Sequence, residues 1–146
     1  MGHKVTGIDL DEKMLQKANN KVKKTSQLSF EYGDGTSTTF KDAEFDAATI
    51  SFAMHDVPQE IGIQILREAK RVISGNGFIY IVDYNDLTHV GAKILSLVAS
   101  IYESPNYKPF VKRGLKDYLA IAGYQIVSKN TFLGAVQFVK AVPVIN

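Results

Sequence analysis

Short apolar runs alternate with segments of helical periodicity along the first two thirds of the chain. Four of the runs have the length of a strand, and the segments between them repeat apolar residues every three or four positions, as amphipathic helices do. The predicted strands are residues 5–10, 28–32, 46–52 and 78–82, and the predicted helices are residues 11–25, 58–75 and 88–102. This alternation predicts an α/β fold with a mostly parallel sheet and helices on its faces.

Cap and turn residues indicate where the predicted helices begin and end. Asp11 is the expected N-cap of the first helix, which should end near Thr25. Pro58 suits the first turn of the second helix because its missing N–H would be unpaired there, and Gly75 is expected to terminate that helix. A last helix should stop at Gly123 and bury Val111, Leu115, Leu119 and Ala122.

The last third of the chain has a different pattern. Two β-rich runs, residues 124–131 and 135–142, are separated by a few residues that include Gly134. This connection is too short for a helical crossover, so the runs are predicted to form an antiparallel hairpin. Because the chain has only 146 residues, we expect it to form a single domain over residues 1–146.

The composition excludes several classes of protein. Hydrophobic residues make up 45% of the chain and charged residues 22%, and no apolar run approaches the roughly 20 residues that a membrane span needs. The net charge of +2 gives no reason to expect nucleic acid as a partner. The chain has no cysteine, which excludes disulfides and thiolate metal sites and is typical of a cytoplasmic protein.

Five segments occur in an order that suggests a family. The run Val5-Thr6-Gly7-Ile8-Asp9-Leu10 leads into a helix, Gly33-Asp34 forms a turn, residues 45–57 form a strand and loop, and residues 66–83 and the terminal hairpin follow. In this order and spacing they resemble the class I S-adenosylmethionine-dependent methyltransferases, particularly the small-molecule group that includes quinone-biosynthesis enzymes. The resemblance implies a Rossmann-like methyltransferase fold that ends in antiparallel strands.

One signature of that family has no counterpart in the chain. The resemblance implies a first strand and a glycine-rich cofactor loop upstream of Val5, and neither is found there. In the family's sheet that strand lies between the strands matching residues 5–10 and 46–52, so each would keep an unpaired edge. These two strands could pair directly, another chain could supply a strand, or the chain could be a fragment. We expect association, as a homo-oligomer or by a strand exchange that completes the sheet.

The resemblance implies S-adenosylmethionine as cofactor, with S-adenosylhomocysteine as product. A carboxylate at a strand tip, such as Asp9, can accept both ribose hydroxyls, and Asp34 is placed to accept the adenine amino group. Simpler alternatives are a helix cap or surface acid for Asp9, a turn aspartate for Asp34, and a core side chain for Phe52. The expected cofactor-binding residues are Asp9, Leu10, Gly33, Asp34, Gly35, Ser51 and Phe52.

Methyl transfer from a sulfonium requires positioning of the acceptor and sometimes a base that removes its proton. His55 and Asp56 follow the strand at residues 46–52 and are the expected catalytic residues, since a neutral imidazole can take up a proton near pH 7. The alternative is a His-Asp pair that caps the helix at Pro58. The three histidines show no metal-ligand spacing, so no metal site is expected.

The sequence gives less information about the molecule that would accept the methyl group. We expect a small-molecule acceptor, and an aromatic loop around Tyr102, Tyr107 and Phe110 would favour a ring-containing or lipid-like molecule, although packing of that loop is the simpler explanation. A non-catalytic binding or assembly module with the same fold is the main alternative function. A nicotinamide dehydrogenase also has an acid after its second strand, but the terminal hairpin and Gly33-Asp34 argue against it.

Overall fold

The computed structural model describes residues 3–22, 27–85 and 104–144. The chain divides into two compact units, Met1–Thr39 and Phe40–Asn146. A single domain over the whole chain stays a prediction. Within the described ranges, no helix is both long enough and apolar enough to cross a bilayer.

The first unit is a strand–helix–strand segment. It contains β1 (Val5–Asp9), α1 (Glu12–Lys21) and β2 (Leu28–Tyr32), and the two strands pair in parallel, with Val5 opposite Leu28 and Asp9 opposite Tyr32. The predicted strands are therefore confirmed. A glycine is required in β1, because a Cβ at Gly7 would lie 2.6 Å from the ring of Phe30.

Helix α1 begins as predicted and ends earlier than predicted. The side chain of Asp11 accepts hydrogen bonds from the amides of Lys13 and Met14, so it is the N-cap. The helix ends at Lys21 rather than near Thr25, because Val22 has the extended backbone angles of φ −91° and ψ 122°. No residue of α1 is buried.

The second unit contains a four-stranded mixed sheet. Its strands are β3 (Phe45–Ser51), β4 (Ile73–Tyr84), β5 (Tyr124–Phe132) and β6 (Val136–Pro143), in the spatial order β3-β4-β6-β5. Strands β3 and β4 are parallel, whereas β6 is antiparallel to both β4 and β5. The fold class and the terminal hairpin are confirmed.

Three helices of the described residues accompany this sheet: α2 (Gln59–Val72), α3 (Tyr107–Arg113) and α4 (Leu115–Ile121). Helix α2 ends at Val72, and the predicted terminator Gly75 lies inside β4 instead. The register of β3 against β4 is irregular before Ala47, so the extra residues of β4 are accommodated as a bulge. The predicted helix at residues 88–102 lies outside the described residues.

The last predicted helix is interrupted. Gly114 has a φ of 83°, which a helix does not allow, and it separates α3 from α4. The predicted buried face is nevertheless confirmed, and Gly123, with a φ of 80°, ends the second helix as expected.

The hydrophobic core of the second unit lies between the helices and one face of the sheet. The sheet contributes Ile79, Ile81, Val139 and Ala141, and the helices contribute side chains such as Leu66, Phe110 and Leu119. Tyr107 and Phe110 are both buried in this core, so packing accounts for these two aromatic residues, and an acceptor pocket beside them stays a prediction. Tyr102 lies outside the described residues.

Strand β1 is an edge of the two-stranded sheet, and β3 is an edge of the four-stranded sheet. Among the described strands, β1 pairs only with β2, and β3 pairs only with β4. Association through either edge, as a homo-oligomer or by strand exchange, stays a prediction.

Candidate functional site

The carboxyl ends of β1 and β2 lie side by side in the first unit. Asp9 is opposite Tyr32, and the amide of Gly33 donates to the carbonyl of Asp9 over 3.2 Å. Asp9 therefore stands beside the Gly33–Gly35 turn, as expected when parallel strands end at one edge of a sheet. The parallel pairing thus brings together the five cofactor-binding residues that were predicted in this unit. They are Asp9, Leu10, Gly33, Asp34 and Gly35.

Asp9 is exposed and has one local side-chain contact. Its Oδ1 accepts a hydrogen bond of 2.9 Å from the amide of Asp11, which orients the carboxylate at the start of α1. A carboxylate accepts several hydrogen bonds, and one such local bond leaves Oδ2 to accept from a ligand. The neighbouring Leu10 is 56% exposed, so its side chain is also accessible at this strand end.

Asp34 is held by the turn in which it lies. Its Oδ1 accepts from the amide and from the hydroxyl of Thr36, each at 2.8 Å. These bonds, that from the amide first, lower the pKa of Asp34, so the side chain is a carboxylate at neutral pH. The observed contacts of Asp34 are therefore those of an ordinary turn aspartate. A role of Asp34 in binding a cofactor stays a prediction.

Gly33 has a packing reason to be glycine. A Cβ at this position would lie 3.1 Å from Cβ of Ile8, which is tighter than ordinary contact. The turn can therefore approach β1 closely, and this close approach places Asp34 next to the tip of β1.

In the second unit, β3 ends at Ser51 and Phe52 follows in an unusual conformation. The φ of Phe52 is +49°, in the left-handed region that costs about 1 kcal/mol for a residue with a Cβ. Its amide donates to the carbonyl of Val82 over 2.8 Å, and its side chain is 46% exposed. The alternative that Phe52 is a core residue is wrong, because nearly half of its side chain is exposed.

The loop after β3 is fixed by three long-range hydrogen bonds. The amide of Met54 donates to Oδ2 of Asp83 over 3.0 Å. The hydroxyl of Ser104 donates to the carbonyl of His55 over 3.0 Å, and the side-chain amide of Asn106 donates to the carbonyl of Asp56 over 2.9 Å. Every residue from 54 to 56 is therefore held by a distant part of the chain.

His55 lies between two acidic residues. Its Nδ1 is 2.7 Å from Oδ1 of Asp83, which is fully buried, and its Nε2 is 3.5 Å from Oδ1 of Asp56, which is half exposed. The alternative that His55 and Asp56 cap α2 is wrong, because Pro58 occupies the N-cap position and no side chain makes a capping hydrogen bond there.

Sequence reasoning missed Asp83, Ser104 and Asn106. A signal existed for Asp83, since an acid that directly follows an apolar strand is placed at a strand tip beside the loop of the parallel neighbour. The other two residues precede α3 in an irregular segment, and their contacts span about fifty positions, which no local pattern encodes.

An open groove of about 740 Å³ lies between the start of α2 and the helices α3 and α4. Its lining includes Lys108, Lys112, Arg113 and Asp117, so cations outnumber acids along it. All four side chains are exposed, as is typical of a solvated helix face. Within the described part of the chain, no group of three or more potential ligands gathers around a metal position.

The sequence profile of a family described as "methyltransferase domain" matches residues 1–81, more than half of the chain. The chain belongs to this family. The matched segment covers the strand tips at Asp9 and Gly33 and the loop with His55, and these are the elements in which the site residues were predicted.

Curated relatives carry a quinone-biosynthesis name. Demethylmenaquinone methyltransferase from Listeria welshimeri is 32% identical over 119 residues, which is 80% of this chain and 49% of the relative. The protein of the same name from Bacillus cytotoxicus is 27% identical over 116 residues, with 78% and 48% covered. This methyltransferase-family chain therefore spans about half the length of the curated relatives it matches.

Solved structures share its fold at low identity. An S-adenosylmethionine-dependent methyltransferase from Methanosarcina mazei is 18% identical with a TM-score of 0.77, covering 99% of this chain and 84% of that one. A second from Aquifex aeolicus is 19% identical with a TM-score of 0.71, covering 94% and 68%. The methyltransferase fold class is thereby confirmed.

Proposed function

We propose that this chain binds S-adenosylmethionine and takes part in methyl transfer to a small-molecule acceptor. The proposal is supported by family membership and by the names of the relatives, of which the chain spans about half. The observation on which it chiefly rests is the pairing of the tips of β1 and β2, which sets the Asp9 carboxylate beside the Gly33–Gly35 turn.

The residues at these tips fit the polar groups of an adenosine cofactor. Oδ2 of Asp9 would accept the ribose hydroxyls, while Oδ1 keeps its bond to the amide of Asp11. Asp34, a carboxylate oriented by Thr36, would accept the adenine amino group, and Leu10 and Gly35 would line the same edge. In the second unit, Ser51 and Phe52, whose side chain is 46% exposed, remain predicted cofactor-binding residues.

The bound cofactor would supply an electrophilic methyl group on a positively charged sulfur. The contribution of the protein is then to hold the acceptor in line, to exclude water and to accept a proton. We propose His55 as the residue that accepts this proton, with Asp56 at its outer edge. The three long-range hydrogen bonds on residues 54–56 support this role, since a base must be held in one orientation to act efficiently.

We propose a ring-containing acceptor, and this part rests on the relatives. The Listeria protein is named for a demethylated menaquinone, a ring compound with a methyl acceptor position. We also propose a cytoplasmic location, which the cysteine-free composition supports.

Calorimetric titration of the full chain with S-adenosylhomocysteine tests the proposal. Saturable heat is expected, and circular dichroism must show that the protein is folded under the same conditions. A folded chain that releases no heat at about 1 mM ligand would favour the alternative, a methyltransferase-fold module that does not bind the cofactor. Titration with NADH in parallel should give no heat, and a response to NADH would instead support a dehydrogenase.

A further inference from the structure

The carboxylate of Asp83 is fully buried at the end of β4, yet it is well supplied with donors. Oδ2 accepts from the amide of Met54 at 3.0 Å, while Oδ1 accepts from the amide of Tyr84 at 2.7 Å and lies 2.7 Å from Nδ1 of His55. Two of these three contacts are backbone amides, one on each oxygen, and an amide N–H can only donate. Both of its oxygens are therefore acceptors.

The imidazole of His55 has an inner and an outer edge. Nδ1 faces the buried Asp83, whereas Nε2 faces Asp56, whose side chain is 51% exposed. The ring is also held edgewise by two tyrosines, with centroid separations of 4.7 Å to Tyr84 and 6.2 Å to Tyr107. The titratable side chains that the described contacts place around the ring are Asp83, Asp56, Tyr84 and Tyr107.

We propose that Asp83 is a positioning residue that holds His55 with its proton on Nδ1 and its lone pair on Nε2. An ionised carboxylate can only accept a hydrogen bond, so a separation of 2.7 Å requires a proton on Nδ1. A neutral imidazole carries one proton, and Nε2 is then the basic nitrogen. The contact with the buried Asp83 thus determines the tautomer of His55, and neither a cofactor nor an acceptor has to be bound.

The catalytic consequence rests on the proposed function. If the acceptor loses a proton when its electron pair displaces the methyl carbon from the cofactor's sulfonium sulfur, that proton would go to Nε2 of His55. The sulfur would then leave as a neutral group, and the imidazole would become a cation. Asp83 then lies 2.7 Å from that cation and stabilises it, as the buried acid of a Ser-His-Asp triad stabilises its histidine.

Nitrogen NMR on the full chain tests the tautomer directly. Long-range proton–nitrogen correlation spectra of histidine-labelled protein, recorded at about pH 8.5 where an ordinary imidazole is neutral, separate protonated from unprotonated ring nitrogens. The signals of His55 are assigned by their loss in His55→Gln, which leaves His3 and His89. We expect a protonated Nδ1 and an unprotonated Nε2. The opposite tautomer in the wild-type chain would overturn the proposal without any variant of Asp83.

Two variants show which acid sets the tautomer. In Asp83→Ala, the nitrogen signals should move toward each other as the two tautomers mix, whereas Asp56→Asn should leave them as in the wild type. A folded Asp83→Ala that keeps the wild-type signals would also overturn the proposal. If Asp83→Ala fails to fold, the wild-type spectrum decides. Because these spectra need no ligand, a failed titration with S-adenosylhomocysteine would count against the proposed function and not against this inference.

Discussion

The candidate site residues of the two units are oriented by different kinds of contact. In the first unit, Asp9 and Asp34 are exposed, and their carboxylates accept from residues two positions further along the chain. In the second unit, His55 is buried and contacts Asp83, which is 28 positions away. Local turns therefore orient the proposed cofactor contacts, whereas long-range packing orients the proposed base.

This difference extends to the surrounding structure. Helix α1 has no buried residue, and apolar side chains of the first unit such as Val5 and Met14 are each 51% exposed. The second unit has a contiguous core beneath its sheet. We therefore expect the first unit to open more readily than the second, because few buried contacts stabilise it.

The largest effect should come from truncating a core residue of the second unit. Phe110 is fully buried, so Phe110→Ala should lower the free energy of unfolding by about 3–5 kcal/mol. Met14→Ala in the first unit is the matched control and should cost less than about 1 kcal/mol, because the side chain is 51% exposed. Urea unfolding followed by circular dichroism measures both. Equal losses would mean that the two units are stabilised alike.

The next largest effect concerns binding at the tips of the first unit. Asp9→Ala should weaken the binding of S-adenosylhomocysteine by about 1.5–3 kcal/mol, or about 10- to 150-fold, since a charged hydrogen bond is lost. Glu31→Ala removes an equally exposed acid from β2 and should leave the affinity unchanged. Calorimetry compares the two variants. An unchanged affinity in Asp9→Ala would remove this carboxylate from the proposed site.

A smaller effect should appear at alkaline pH in the second unit. The hydroxyl of Tyr124 donates to the carbonyl of Leu66 over 3.1 Å, and burial raises the pKa of Tyr124 above its ordinary value of about 10. Because the folded state keeps this proton while the unfolded state loses it, stability is complete below about pH 10 and falls as the pH rises further.

Tyr124→Phe cannot ionise at this position, so its stability should lack this part of the alkaline loss. The variant should cost about 1 kcal/mol at neutral pH through the lost hydrogen bond, and the gap to the wild type should shrink above about pH 10. Urea unfolding at several pH values measures the gap, and other tyrosines cancel in the comparison. Parallel curves for the two proteins would contradict the assignment.

The smallest effect is a gain at a local turn of the second unit. Leu133 and Gly134 connect β5 to β6 with φ values of 51° and 69°, and the amide of Ala135 donates to the carbonyl of Phe132 over 3.0 Å. Two positive φ values indicate a type I′ turn, in which asparagine is favoured at the first position.

Leu133→Asn should therefore stabilise the chain by about 0.5–1 kcal/mol, since the leucine is 78% exposed and loses little packing. Leu133→Ala keeps the strained conformation and should show no such gain. Thermal unfolding of the two variants distinguishes them, and equal stability would show that the turn is not strained.

The sequence predicted the parts of the fold that depend on local patterns. The strand at residues 28–32, the cap at Asp11 and the terminal hairpin were correct because periodicity, capping and turn chemistry act over a few residues. The end of α2 was wrong because Gly75 was read as a helix terminator, whereas β4 begins at Ile73 and continues through it. Tertiary pairing with β3 outweighed the local signal there.

The same distinction between local and long-range signals applies to the candidate site residues. Asp9, Asp34 and His55 were predicted as site residues from their positions at strand ends, where chain order alone places them, and their roles stay predictions. Asp83, Ser104 and Asn106 were not found, because their partners are 28 to 50 positions away in the sequence. The outward ring of Phe52 was also missed, since a positive φ at a phenylalanine contradicts the usual preference of that residue.

The proposed function requires the cofactor to bind at the adjacent carboxyl ends of β1 and β2. Amide hydrogen exchange of the full chain, with and without saturating S-adenosylhomocysteine, tests it most directly. We expect slower exchange at residues 9–12 and 33–36 on adding the ligand, with the hairpin of β5 and β6 unchanged. Ligand binding that leaves both tips exchanging at their original rates would contradict it.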